Sequence, residues 1–309
     1  MIPHRTLAAL ALAAFFLGGC SRAERTASGG AAPRTYVDAL GDTLRVTDPP
    51  RRIISLAPSL TELVFALGAG SRLAGVTDFC DYPPAARTLP RVAGFNVVNL
   101  EALVAARADL VLANRGNSPT DLAAIRELGV PVFAFQIDSL PELARAARTL
   151  GGILGVQAEA ESLATSWERR IASVQSVGDS VPENARPLVF FGGIAEPIYT
   201  VSRGSFIHDV IQRAGGRNVF ADLPTAWPRI DLETLVRRNP DIILVGYHAA
   251  TERDIASLRE APGWRTIKAV REGKVYVLGD AIMREGPRLV DALEEVSRVL
   301  YPRGKVLSQ

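Results

Sequence analysis

Cysteine and histidine are both scarce. The 309-residue chain has two cysteines, Cys20 and Cys80, and three histidines, His4, His208 and His248. So few thiols exclude a disulfide-dense scaffold and a cluster of thiolates. The histidines form no His-x-x-x-His pair and no Cys-His metal motif. Neither a Gly-x-Ser-x-Gly elbow nor a Walker loop is present. "GAGSRLAG" holds two close glycines, but it follows a helical stretch and precedes a strand-like one. A dinucleotide loop needs the reverse order, so the glycines read as a helix stop. Charge of one sign is missing too. The formal net charge is +2, and part of the positive charge sits at Arg5, Arg22, Arg25 and Arg34. That gives no basic patch and argues against a nucleic-acid partner.

The apolar stretch Leu7–Leu17 is too short to span a membrane comfortably. It follows a basic start and leads into Leu-Gly-Gly-Cys, which fits a signal peptide h-region and resembles a bacterial lipobox. Cys20 would then carry lipid, and each methylene buried in the membrane would contribute about 0.8 kcal/mol to anchoring. A lipidated Cys20 cannot pair with Cys80, so no structural disulfide is expected. Cys80 reads as a small buried apolar residue. The next stretch, "SRAERTASGGAAPR", is polar and rich in small residues, as a flexible tether would be.

Apolar residues make up 48% of the chain, enough for more than one core. "TYVDALGDTLRVTDPP" predicts a hairpin turning at Gly41-Asp42. "RRIISLAP" predicts a buried strand and "SLTELVFALGAG" a helix, with Ser59 and Glu62 at capping-box spacing. Strands and helices then alternate through "RLAGVTDF", "NLEALVAARA", "DLVLAN", "TDLAAIRELG" and "VPVFAF". This is the pattern of a parallel sheet covered by helices. From Ser139 the pattern becomes purely helical, ending in a long helix to about Val177 with no strand after it. Alternation restarts at "PLVFFGG" and runs to the helix "PRLVDALEEVSRVLYP". The expected plan is therefore a signal peptide (1–20), a tether (21–34), an α/β lobe (35–155), a connecting helix (156–180) and a second α/β lobe (181–309).

The two lobes share a sentence. "NLEALVAARADLVLAN" (99–114) and "DLETLVRRNPDIILVG" (231–246) align without a gap, each with a helix cap, Leu-Glu, an Asp and an apolar strand. Phe95 and Trp227 lie at the same offset before the two caps. Two similar lobes without a catalytic motif suggest a cleft that closes on a ligand. Aromatics in loops near strand ends are the candidates to line it: Phe79, Tyr82, Phe95, Tyr199 and Trp227. An enzyme using the cleft is the lesser alternative. A third is an interaction protein with a vestigial cleft.

These residues also carry a resemblance. "RRIISLAPSLTELVFALGAGSRLAGVTDFCDYPPAA", "NLEALVAARADLVLANRG", "AWPRIDLETLVRRNPDIILV" and "GDAIMREGPRLVDALEEV" resemble the class III periplasmic binding proteins, the metal-chelate receptors of ABC importers. The likeness covers about Asp38 to Pro302 and is strongest to the cobalamin receptors. It implies an α/β fold of two Rossmann-like lobes with parallel sheets, joined by a single long backbone helix. It implies no catalysis and no catalytic cofactor. The implied partners are an importer permease with its ATPase, a membrane reached through the lipid anchor, and a small-molecule metal chelate. The protein would be a monomer, exported and held at the periplasmic or outer face of the cell membrane. Matched residue by residue, the resemblance gives Glu101 and Glu233 as permease-docking carboxylates. It gives Phe79, Phe95, Asn114, Tyr199, Trp227, Asp280 and Arg284 as ligand contacts. Phe79, Phe95 and Asn114 replace larger aromatics of that pattern. A corrinoid is the expected ligand. Tyr247 and His248 would suit haem, and Arg115, Arg203, Arg229 and Arg284 would suit a ferric siderophore.

Overall fold

The computed structural model describes residues 33–94, 97–246 and 251–302. Cys20, Phe95, Tyr247 and His248 lie outside the described residues.

The chain opens with an antiparallel hairpin, β1 (Arg34–Val37) and β2 (Thr43–Val46). Asp38 organises it: its carboxylate accepts from the N–H of Leu40, Asp42 and Ala134, and so ties the turn to the first lobe. The first lobe then runs β3 (Ile53–Ser55), α1 (Pro58–Ala66), β4 (Leu73–Thr77), β5 (Arg91–Ala93), α2 (Leu100–Ala105), β6 (Leu110–Asn114), α3 (Pro119–Glu127) and β7 (Val132–Phe135). Its five-stranded sheet has the order β5-β4-β3-β6-β7, with every pairing parallel. Both faces are covered, so β3 and β7 are buried at every residue and read as unbroken apolar runs.

Two helices follow without a strand between them: α4 (Leu140–Leu154), ended by Gly155 at φ +70°, and the 23-residue α5 (Gln157–Asp179). The second lobe runs β8 (Leu188–Phe191), β9 (Ile198–Tyr199), α6 (Phe206–Arg213), β10 (Arg217–Asn218), β11 (Arg229–Ile230), α7 (Leu232–Arg238), β12 (Ile242–Gly246), α8 (Glu252–Ser257), α9 (Lys268–Arg271), β13 (Val275–Leu278) and α10 (Leu289–Leu300). Its sheet order is β10-β8-β12-β13, again parallel, which repeats the order β4-β3-β6-β7 of the first lobe. The fold is thus α/β, two lobes with parallel sheets joined by one long helix.

α5 packs on α4 from the first lobe and on α6 and α10 from the second. Trp167, Ile171 and Val174 on α5 belong to one continuous apolar core with Leu60 and Leu150 on one side and Val210 and Leu293 on the other. Paired ions reinforce both contacts. Arg148 of α4 meets Glu161 and Glu168 of α5, and Arg170 of α5 meets Asp291 and Glu294 of α10.

The repeated segment has a structural explanation. Asn99 and Asp231 cap α2 and α7 by accepting from the N–H of Ala102 and Thr234. Eight residues after each cap the backbone turns left-handed, at Arg107 (φ 49°) and Asn239 (φ 44°). Asp109 then accepts from Arg51 and Arg52, at the start of β3, while Asp241 accepts from Leu188, at the start of β8. Each copy therefore caps a helix and fastens the first strand of its lobe.

One local expectation fails. Ser59 and Glu62 form no capping box: α1 begins at Pro58 after Ala57, and no side chain caps it. Proline at the first position needs no amide partner. Both side chains are instead turned toward the second lobe.

Candidate functional site

α1 is buried along its middle, from Ser59 to Val64, where Leu60, Leu63 and Val64 are fully buried. Glu62 is its one charged residue. Its side chain is 2% exposed. A buried carboxylate must be paired, and the partner comes from the other lobe. Arg288 donates Nε to Glu62 Oε2 at 2.9 Å and Nη2 to Oε1 at 2.7 Å, a two-pronged fork. Its hydrogen bonds to the Glu62 carboxylate hold the Arg288 guanidinium pKa well above its ordinary value. Its Nη2 also reaches Asp280 at 3.2 Å, and its Cζ lies 4.3 Å from the centre of the Tyr82 ring.

Arg284 stands beside it. It meets Asp81 at 3.0 Å, Asp280 at 3.2 Å and Glu62 at 3.8 Å, and it donates to the Phe79 carbonyl at 3.3 Å. Glu285 accepts from Ser59 Oγ at 3.2 Å and from Asn114 Nδ2 at 3.1 Å. A Cβ on Gly286 would come within 3.2 Å of the Ser59 backbone, so the lobes touch here. Asp280 lies in a short 3-10 turn, Asp280–Met283, directly after β13.

Next to this contact is a cavity of about 410 Å³ lined from both lobes, by Asn114, Gln136 and Asp138 of the first and Phe206, Trp227 and Glu285 of the second. A hollow of the same volume under the β1–β2 hairpin is lined by the first lobe alone, through residues such as Val37 and Arg145.

Local structure positions the aromatics. Phe79, half exposed, follows β4 on a loop held by Arg91, which donates to the carbonyls of Thr77 and Cys80. Cys80 is fully buried and contacts the hydroxyls of Thr61 and Thr77 at 3.1 and 3.2 Å. Tyr199 belongs to the small β9–β11 ladder, where it faces Arg229, and Trp227 lies two residues before β11. Ile198 and Thr200 are buried on either side of the exposed Tyr199, and Trp227 is exposed beside the buried Pro228. Trp227 rests on the Phe206 ring at 5.5 Å.

Of the expected contacts, Asn114 and Trp227 line the cavity, Phe79 is tied to the interlobe contact through Arg284, and Asp280 and Arg284 belong to that contact's ion network. The four arginines considered for a siderophore are not gathered. Arg115 is at the cavity, bound to Gln136, whereas Arg203 lines a separate hollow with Asp222 and Arg238. Glu101 and Glu233 are exposed in the first turns of α2 and α7. Glu233 is paired with Arg237 at 2.6 Å. Sequence reasoning missed Ser59, Glu62, Glu285 and Arg288. The signal was an acid alone within the apolar run of α1, and a second arginine in "REGPR".

Two similar lobes, one bridging helix and a two-sided cavity with exposed aromatics define a solute-binding protein. The chain belongs to the periplasmic binding protein family, whose model matches residues 53–282. It is a substrate-binding protein of the class III type. It is 30% identical over 311 residues to the uncharacterized ABC transporter substrate-binding lipoprotein YvrC of Bacillus subtilis, covering 96% of both chains. It is 32% identical over 256 residues to the vitamin B12-binding protein of Vibrio cholerae, covering 82% of this chain and 90% of that one. The crystal structure of the periplasmic vitamin B12-binding protein BtuF of Vibrio cholerae superposes with a TM-score of 0.71 at 30% identity, over 82% and 97% of the two chains. The periplasmic heme-binding protein RhuT of Roseiflexus gives 0.72 at 27% identity, over 81% and 98%.

Proposed function

We propose that this protein is the substrate-binding lipoprotein of an ABC importer. It takes a corrinoid in the interlobe cleft and delivers it to the membrane permease and its ATPase. Cys20 carries the lipid that holds it at the periplasmic or outer face of the membrane. The observation that carries the ligand reading is the half-exposed Trp227 on the wall of a cavity lined by both lobes, with Tyr199 exposed on β9 in the same lobe. Exposed aromatic rings suit a large flat macrocycle, which buries much apolar area on each face. Phe79 and Phe95 are assigned as apolar ligand contacts, and Asn114, Asp280 and Arg284 as polar ones. Glu101 and Glu233, one per lobe, dock on the permease as two separate carboxylates meeting basic pockets.

A haem or a ferric siderophore is the second reading, favoured by the likeness to a heme-binding protein. Titration of the full chain in detergent with cyanocobalamin, haemin and a ferric hydroxamate separates them. The expected result is tight one-to-one binding of cyanocobalamin, read by calorimetry. Tight binding of haemin or the hydroxamate alone would move the substrate and keep the receptor, while no binding of any would overturn the receptor role.

A further inference from the structure

The receptor reading covers ligands of very different charge. Corrinoids with intact amides are uncharged or cationic, haem carries two propionates, and ferric catecholates are strongly anionic. An anionic ligand would need the cleft arginines as donors. A large part of their donor set is already engaged. Arg288 gives Nε and Nη2 to Glu62 and Nη2 again to Asp280, and its face is covered by Tyr82. Arg284 is held by Asp81 and Asp280 and turned toward the Phe79 carbonyl.

The carboxylates also outnumber the guanidiniums. Glu62, Asp81 and Asp280 pair with Arg284 and Arg288, and Glu285 follows Arg284 in the chain. Glu285 lines the cavity, and its two hydrogen-bond donors, Ser59 and Asn114, are both uncharged. On the cavity wall Arg115 is linked through Gln136 to Asp138, so those two charges offset each other. A merely structural tie between lobes would need one carboxylate per arginine. The excess acid is placed against the ligand cavity.

We infer that Glu62 and Glu285 set the charge selectivity of the cleft. Glu62 takes up the arginine donors, Glu285 adds an uncompensated negative charge, and the site selects uncharged or cationic macrocycles over anionic ones of the same shape. The inference rests on the receptor reading above and names its ligand class.

Matched pairs test it, because each pair differs in charge on one framework: haemin against its dimethyl ester, and cyanocobalamin against the monocarboxylic acid formed by hydrolysing one side-chain amide. With the full chain in detergent, the expected result is that the member without free carboxylates binds on the order of tenfold tighter in whichever pair binds, as a unit charge several ångströms away would produce. Glu285→Gln keeps the acceptor for Ser59 and Asn114 and should reduce that preference several-fold while melting like the parent. Glu62→Gln should reduce it in the same direction. Preference for the anionic member, or an unmoved ratio in a normally melting Glu285→Gln, would overturn the inference and leave the receptor standing. Failure of all four macrocycles to bind would overturn the receptor reading itself, and the inference with it.

Discussion

His208 is a buried base whose charge state is set by its neighbours. It stands in the first turn of α6, 6% exposed, with Nδ1 at 3.2 Å from Asn218 Nδ2. Asn218 Nδ2 is a donor, and it also serves the Val201 carbonyl, so Nδ1 is the acceptor and the ring proton sits on Nε2. Burial holds the imidazole pKa below its ordinary 6.5, and the charge of Arg203 adds to the effect, while Asp209 and Gln212 oppose it. The folded state therefore binds fewer protons than the unfolded one in mild acid. Stability is full above about pH 6.5 and falls as pH drops through the folded pKa, by about 1.4 kcal/mol for each unit of depression. Melts between pH 5 and 7.5 should show this slope, and His208→Gln should flatten it. An unchanged slope would mean that other groups carry the acid sensitivity.

At the scale of elements, the β9–β11 ladder depends on a glycine. A Cβ on Gly192 would lie 2.4 Å from the Tyr199 carbonyl oxygen and 2.6 Å from the Phe190 ring. The ladder crosses close over the end of β8, with Gly192 bridged to Thr200. Gly192→Ala must push the strand that bears Tyr199 outward, at a cost of about 1–3 kcal/mol. Denaturant unfolding should register the loss, and the affinity for the ligand should fall with it. Full affinity in this variant would separate the ladder from the ligand. The sequence predicted most elements because their signals are local: apolar runs for β6 and β12, caps at Asn99 and Asp231, glycine stops at Gly68 and Gly215. The short strands β5, β9, β10 and β11 were missed, since two or three residues carry no period. The interlobe contact was illegible for another reason. Ser59 and Glu62 have capping-box spacing, and only the distant Glu285 and Arg288 reveal that their partners lie across the cleft. Spacing along the chain reports on local bonds and is silent about partners more than two hundred residues away.

At the scale of the whole molecule, the two lobes are fastened twice. α5 shares one core with both lobes and is ion-paired to α10 through Arg170, and at the cleft Glu62 grips Arg288. Opening the cleft widely would break a buried fork and expose apolar core, so ligand entry must work with small hinge motion. Glu101 and Glu233 then keep nearly the same separation with and without ligand. A permease that reads this separation should bind the empty and loaded receptor within about tenfold, or 1.4 kcal/mol. The two ends are nevertheless unequal. Glu233 must leave Arg237, its partner one turn along α7, whereas the residue four after Glu101 is Ala105. An exposed pair of this kind is weak, so the difference should be modest, with Glu101→Ala weakening docking somewhat more than Glu233→Ala. Reversing both, Glu101→Arg with Glu233→Arg, should abolish uptake while leaving ligand titration unchanged, because neither side chain is among the residues that line the cavity. Binding to permease in proteoliposomes measures all three variants. Uptake that survives the double reversal would remove these carboxylates from the docking surface, and a large preference for the loaded receptor would show that the lobes move more than their two fastenings allow.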